Sequence, residues 1–300
     1  MKNLHIEHPE DTVLTGDLSV LNWFTANGKI TAKIDGAPAI VWGRNPANGK
    51  FFVGTKSVFN KVKIKINHSH EEIDKNHGGK VADILHACFD NLPRTFKIYQ
   101  GDFIGFGGSD NYCPNTIVYY FHDEVEQNII IAPHTEYFAE KDLRDAVAEP
   151  ITHFPFDDRD NVKWVVPWVT IDVHRDDIQD MCKFARQMST LCTFPDDKQV
   201  RRLKKQLNAC IREGIEFDDI TLEAIAHDNE IDLNVLRLWK LVETIKSDMF
   251  MYIDCEDTVE CYIYEERCDH EGYVMHNEYG SYKIVNRMGF SRANFLSQKW

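Results

Sequence analysis

Positive charge is what this sequence has too little of. Its 34 lysines and arginines stand against 48 aspartates and glutamates, for a net charge of −14 over 300 residues. So acidic a chain cannot wrap a polyanion over its whole surface, although a local basic groove stays open to it. Long apolar runs are missing too. No stretch approaches the roughly 20 residues that cross a bilayer. The opening Met1-Lys2-Asn3-Leu4-His5-Ile6-Glu7-His8 has no apolar signal core. A soluble, cytoplasmic protein is expected. The eight cysteines include no Cys-x-x-Cys spacing, which fits reduced thiols better than a zinc site. Cys255, Cys261 and Cys268, near His270 and His276, leave metal binding as the lesser alternative. Neither a Walker-type phosphate loop nor a GxGxxG turn is present.

What is present describes a globular chain with a large core: 43% apolar and 12% aromatic residues. Residues 1–16 read as a loop or short strand, and Leu18–Thr25 as a helix. Ile40–Gly43 and Phe51–Thr55 flank turn chemistry at Asn45–Lys50 and predict a β-hairpin. Lys61, Lys63 and Lys65 alternate, which predicts a strand with one basic face. Helical spacing over Glu71–Asp74 and Val81–Phe89 is interrupted at Gly78-Gly79. Strands are expected at Phe96–Phe106, Thr116–Phe121, Asn128–Ala132 (antiparallel to the preceding one), Asn161–Val169, Val259–Tyr264, Glu271–Met275 and Ser281–Val285. From Arg175 to Met251 the period changes to that of three or four successive helices. One of them carries Lys198, Arg201, Arg202 and Lys205 at i, i+3, i+4, i+7, the best nucleic-acid patch in the chain, or else a solvated helix face.

The segment Ile30–Val41 breaks an apolar strand with Lys33, Asp35 and Gly36. A lysine in such a strand loses hydration, and burial depresses its pKa towards that of a usable nucleophile. Lys33-Ile34-Asp35-Gly36 resembles the KxDG motif of covalent nucleotidyltransferases, the ATP-dependent DNA and RNA ligases and mRNA capping enzymes. Further matches follow in the family's order: Gly101-Asp102 after an apolar strand, the aromatic strand Tyr119-Tyr120-Phe121, Glu271-Gly272-Tyr273-Val274, and Lys283. The chain departs from the family pattern in four places. Asp102 replaces a glutamate, Lys56 stands where an arginine is usual, Ser281 replaces the first lysine of Lys-x-Lys, and Ala37-Pro38 follows the motif where DNA ligases carry an arginine.

The resemblance implies an α+β fold: nucleotidyltransferase (ATP-grasp-like) antiparallel sheets with flanking helices. The core would span 1–174 and 252–300, with an inserted helical subdomain at 175–251. It implies an ATP-dependent RNA ligase that joins 5′-phosphate and 3′-hydroxyl ends through lysyl-AMP. It also implies a phage origin, because the opening residues and Asp35–Ile40 look like phage-encoded ligase-like proteins. Lys33 would be the nucleophile and Lys283 the phosphate-binding cation. Thr31, Ala32, Asp35, Gly36, Lys56, Asp102, Glu271 and one of the aromatic residues, with Tyr120 and Phe121 foremost, would hold the nucleotide. Glu271 and Asp102 would bind Mg2+ or Mn2+. Lys61, Lys63 and the basic helix would bind nucleic acid, RNA ahead of DNA. Two alternatives remain: a non-catalytic descendant that binds nucleotide or RNA, and an enzyme that transfers AMP to another acceptor.

Overall fold

The computed structural model describes residues 6–151, 154–157, 161–256, 259–263, 266–268 and 270–290. His5 and Tyr264, which belong to two of the segments above, lie outside them. In chain order the elements are α1 (Pro9–Thr12), α2 (Val20–Trp23), β1 (Lys29–Ala32), β2 (Ala39–Arg44), β3 (Phe51–Gly54), α3 (His70–Asn76) and α4 (Gly79–Asn91). Then come β4 (Ile98–Phe106), β5 (Asn111–Tyr112), β6 (Val118–Tyr120), β7 (Ile129–Phe138), β8 (Val147–Pro150), β9 (Val162–Trp164) and β10 (Trp168–Ile171). Four helices follow, α5 (Asp176–Ser189), α6 (Asp197–Glu213), α7 (Asp219–Asn229) and α8 (Leu233–Asp248). The last strands are β11 (Ile253–Glu256), β12 (Glu260–Ile263), β13 (Glu266–Cys268), β14 (Tyr273–Asn277) and β15 (Gly280–Ile284). This is a mixed α+β fold with several antiparallel sheets flanked by helices. No helix among the described residues is long and apolar enough to cross a membrane.

The chain divides into two compact units. The first takes in Lys33–Pro167 and Asp257–His270. Its main sheet has the order β3-β2-β4-β7-β8, with β9 parallel to β7. Alternation along β2 sends Ile40 and Trp42 to one face and Val41 to the other, and all three are fully buried. On the first face α3 and α4 bring Ile73, Leu85 and Cys88 against Trp42, Tyr99 and Trp164. On the second, Val41 packs with Phe52, Val58 and Leu143. A smaller sheet, β13-β12-β6-β5, carries the aromatic strand.

The second unit takes in His5–Ala32, Trp168–Glu256 and Glu271–Trp300. It holds the three-stranded sheet β1-β14-β15, the pair β10-β11 and the helices α5–α8. One core joins Trp23 and Leu21 to Leu203, Leu207, Leu236, Trp239, Met275 and Ile284. The segment 175–251 therefore folds together with residues 6–32 and the strands β14 and β15. Helix boundaries follow local chemistry. Asp196 and Gln199 form a capping box on α6, which ends at Gly214 in the left-handed region, at φ 71°.

Five local expectations are corrected. Residues 9–15 are helical turns rather than loop or strand, because Pro9 opens α1 and Glu10 and Asp11 are buried as charge partners. Lys33 is not in a strand. Pairing ends at Ala32, opposite Tyr273, because Gly272 at φ 120° turns the partner chain away just before it. Lys61 and Lys63 lie on bends and Lys65 in irregular chain, with Lys63 left-handed at φ 56°, so no basic strand face exists there. β7 pairs with β4, not with the aromatic strand. Finally, 161–169 divides into β9 and the start of β10, which belong to different sheets.

Candidate functional site

In the first unit the residues after β1 run as irregular chain from Lys33 to Gly36, bend at Ala37 and Pro38, and are fastened at several points. Tyr119, fully buried on β6, accepts the Asp35 N–H at 2.8 Å and donates its own hydroxyl to the Asp35 carbonyl at 2.9 Å. The side chain of Asn115 donates to the Asp35 carboxyl at 2.8 Å. Beyond Gly36, the Ala37 N–H donates to the Phe103 carbonyl (2.9 Å) and the Phe103 N–H to the Pro38 carbonyl (3.1 Å). Ala39 then pairs with Asp102 as β2 begins. Gly36 is required by this approach, since a Cβ there would sit 2.6 Å from the Phe103 carbonyl oxygen.

The electrostatics follow from that closeness. Burial raises the Asp35 pKa, the neighbouring Lys33 and the Asn115 amide pull it back, and Asp102 pushes it up again. Lys33, Asp35 and Asp102 thus sense one another's charge. Asp102 lies 3.8 Å from His134 Nε2, and His134 Nδ1 meets the Thr135 hydroxyl at 2.7 Å. Burial holds the Tyr119 phenol well above its usual pKa, so it stays a neutral donor.

The register settles how the aromatic strand points. Tyr119 faces inward to Asp35, Tyr120 is exposed and meets Tyr262 edge-on at 5.3 Å, and Phe121 is buried edge-on against Tyr112 at 5.6 Å. Lys56, Lys61 and Lys63 are exposed on the 3-10 turn and bends after β3.

In the second unit Thr31, Val274 and Lys283 stand opposite one another across β1, β14 and β15. Directly opposed residues share a face, so Thr31 and Lys283 lie together on the face away from Ala32, Met275 and Ile284, which enter the core. Glu271 lies in the bend before β14. Gly272 after it admits no side chain, since a Cβ would meet the Ile284 carbonyl oxygen at 2.3 Å. Ser281 is bonded to His276 Nδ1 at 2.6 Å. On α6, Lys198, Arg201, Arg202 and Lys205 are all exposed.

A network that the sequence did not reveal lies beside Lys283. The Glu7 carbonyl accepts the Lys283 N–H at 3.2 Å. Three residues on, Glu10 is fully buried and accepts from Lys246 Nζ at 2.7 Å and from Arg287 at 3.0 Å. Arg287 also donates to Asp11 at 3.0 Å, and Asp11 accepts the Trp239 indole N–H at 3.1 Å. Burial alone would raise the Glu10 pKa, but Lys246 and Arg287 hold it down at about 2. Burial pushes His8 down to about 3. This network borders a cavity of about 420 Å³, lined by Phe217, Trp239, Lys240, Glu243 and Arg287 among others; the motif residues are not in its described lining. Proline followed by two acids was the available signal for α1. Nothing in the sequence singled out Asn115 or His134.

The fold and these residues define a two-unit α+β protein in which a Lys-x-Asp-Gly segment is held against two strands. The chain belongs to a family of unknown function, DUF6267, whose model matches residues 3–224 and 218–299. No curated protein and no solved structure matches it.

Proposed function

We propose that the protein is an ATP-dependent, ligase-like nucleotidyltransferase acting on RNA ends. The Lys33 amine attacks the α-phosphate of ATP, a nitrogen–phosphorus bond forms, and pyrophosphate leaves. AMP then passes to a 5′-phosphate, and a 3′-hydroxyl displaces it to close a phosphodiester. The observation that carries this reading is the gathering of Lys33, Asp35 and Asp102 around a backbone fixed by Gly36 and Tyr119. Asp102 and Tyr119 are far from Lys33 in sequence and follow it in the order of the nucleotidyltransferases that the motif resembles.

The Lys33 amine, which interacts with the Asp35 carboxyl, must lose any proton it carries before it can attack. Neutralisation of that carboxyl would favour the loss. Asp102 is a hard oxygen donor of the kind Mg2+ takes, and such an ion would neutralise phosphate charge when bound. In the second unit Glu271 is a donor of the same kind, and Lys283 is a cation of the kind that binds phosphate. The exposed cations of α6 are the surface offered to RNA phosphates. The hydrogen bond between Ser281 and His276 favours a second reading, a nucleotide- or RNA-binding protein without transfer activity, because the family's first lysine is missing there.

The experiment is incubation with α-labelled ATP, in parallel with GTP, and Mg2+ or Mn2+, followed by denaturation. Label retained from ATP and lost in Lys33→Ala is the expected result. A folded, AMP-free protein that takes label from neither nucleotide would overturn the reading. RNA and DNA ends would then be supplied as acceptors to separate ligation from transfer elsewhere.

A further inference from the structure

On the helical side of the first unit, α3 and α4 bring two histidines edge to edge. The ring centroids of His70 and His86 are 4.9 Å apart and their planes 23° apart. Their Nδ1 atoms lie 2.7 Å from each other. Each ring's other nitrogen is already engaged, His70 Nε2 with Asp90 at 3.0 Å and His86 Nε2 with Asp74 at 2.9 Å. Phe89 meets the His70 ring edge-on at 5.1 Å and helps fix its orientation.

Counting protons shows what this geometry demands. A carboxylate accepts only, so each Nε2 must carry a proton. A neutral imidazole has one N–H, which leaves both Nδ1 atoms as lone pairs pointing at each other. Two lone pairs at 2.7 Å repel unless a cation lies between them. A single proton would leave the two aspartates and two rings at a net charge of −1. A divalent ion brings the same four groups to zero with both rings neutral. Metal-bound histidines characteristically pass their remaining N–H to a carboxylate, as both of these do.

We infer that His70 and His86 form a transition-metal site that binds a single divalent ion through their Nδ1 atoms. Imidazole ligands select Zn2+, Co2+, Ni2+ or Cu2+ over Mg2+ and Ca2+. Metal–nitrogen bonds of about 2.0–2.1 Å in a tetrahedral site set the two nitrogens roughly 3.3 Å apart, so the rings need to part by about 0.6 Å. Among the described residues no three His, Cys, Asp or Glu side chains surround one point. Two coordination positions are therefore left to water, and the site is open. It lies on α3 and α4 and is independent of the Lys33 chemistry proposed above.

The test is titration of the metal-free full-length protein with Co2+ and Zn2+, followed by calorimetry and by the cobalt visible spectrum. One equivalent should bind with an affinity in the micromolar range, unaffected by millimolar Mg2+. His70→Ala and His86→Ala should each lower the affinity by at least about tenfold, and Asp74→Asn and Asp90→Asn by a similar factor. His68→Ala and His77→Ala, on the neighbouring turns, should leave it unchanged. Circular dichroism of each variant separates loss of the site from loss of the fold. No binding by the folded wild type, or binding that survives both alanine variants, would overturn the inference.

Discussion

The hydroxyl of Tyr119 bonds both polar backbone atoms of Asp35, accepting the N–H at 2.8 Å and donating to the carbonyl at 2.9 Å. One buried phenol thus fixes the residue two places after Lys33. Tyr119→Phe removes both bonds and leaves two backbone groups with no replacement. Stability should fall by about 1–3 kcal/mol in urea unfolding. Adenylylation of Lys33 should slow by a larger factor than Tyr120→Phe produces, because Tyr120 is exposed and its ring meets Tyr262 rather than Asp35. Equal effects of the two substitutions would contradict the role given to Tyr119.

Gly36 has no room for a methyl group. Its nearest obstacle is the Phe103 carbonyl, whose strand is held by β2 and β7 and cannot yield as a side chain would. Gly36→Ala is expected to cost about 1–3 kcal/mol through this clash. It should also reduce nucleotide transfer, because it shifts the backbone between Asp35 and Ala37. The control is Gly49→Ala, at a turn where an added Cβ meets nothing within 4 Å. Its φ of 70° makes a small stability cost the only expected effect there.

Acid should loosen the second unit well before the usual carboxylate range. Folding lowers His8 to about 3 and His276 to about 4, both from burial. Below pH 6.5 the unfolded chain takes up protons that the folded chain refuses, so stability falls as pH falls, by up to about 1.4 kcal/mol per pH unit for each group. Glu10 adds to the decline between about pH 4.5 and 2, where its pairing with Lys246 and Arg287 is lost on protonation. Asp35 in the first unit works the other way, since its pKa is raised. Urea midpoints at pH 7, 6 and 5 should decrease in order, and His8→Gln should flatten the upper part of the slope. A flat profile from pH 7 to 5 would contradict the burial assigned to both histidines.

Lys246 and Glu10 form an ion pair with almost no exposure on either side. Lys246→Met leaves Glu10 with Arg287 alone and should destabilise by roughly 3–5 kcal/mol. Adding Glu10→Gln in the same chain should restore part of that loss, since no unpaired charge then remains. A double variant as unstable as the sum of the two single variants would show that the pair is not coupled.

Where alternation and helical period were strong, the sequence was readable: β2 and β3 with their turn, the Gly78-Gly79 break at the start of α4, and α5, α6 and α8 lie where patterning put them, while the period picked out no residues for α7. What escaped depends on contacts distant in sequence. Lys33 looked like part of a strand because Ile30 to Val41 is apolar, yet pairing stops where Gly272 bends the opposite chain. Lys61 to Lys65 alternate as a strand would, but no partner strand accepts them, and Lys63 turns left-handed. Register decided which of three consecutive aromatic residues met Asp35. The Glu10 network joins residues more than 200 positions apart, and no local pattern could announce it.

Peptide mapping of the covalent adduct tests the central claim most directly. The protein is incubated with ATP and Mg2+, digested, and searched by mass spectrometry for AMP on lysine. The account predicts AMP on Lys33 alone, absent in Lys33→Ala and retained in Lys56→Ala, because Lys56 is an exposed cation on a separate turn. AMP on any other residue, or none on a folded protein shown to start free of AMP, would contradict it.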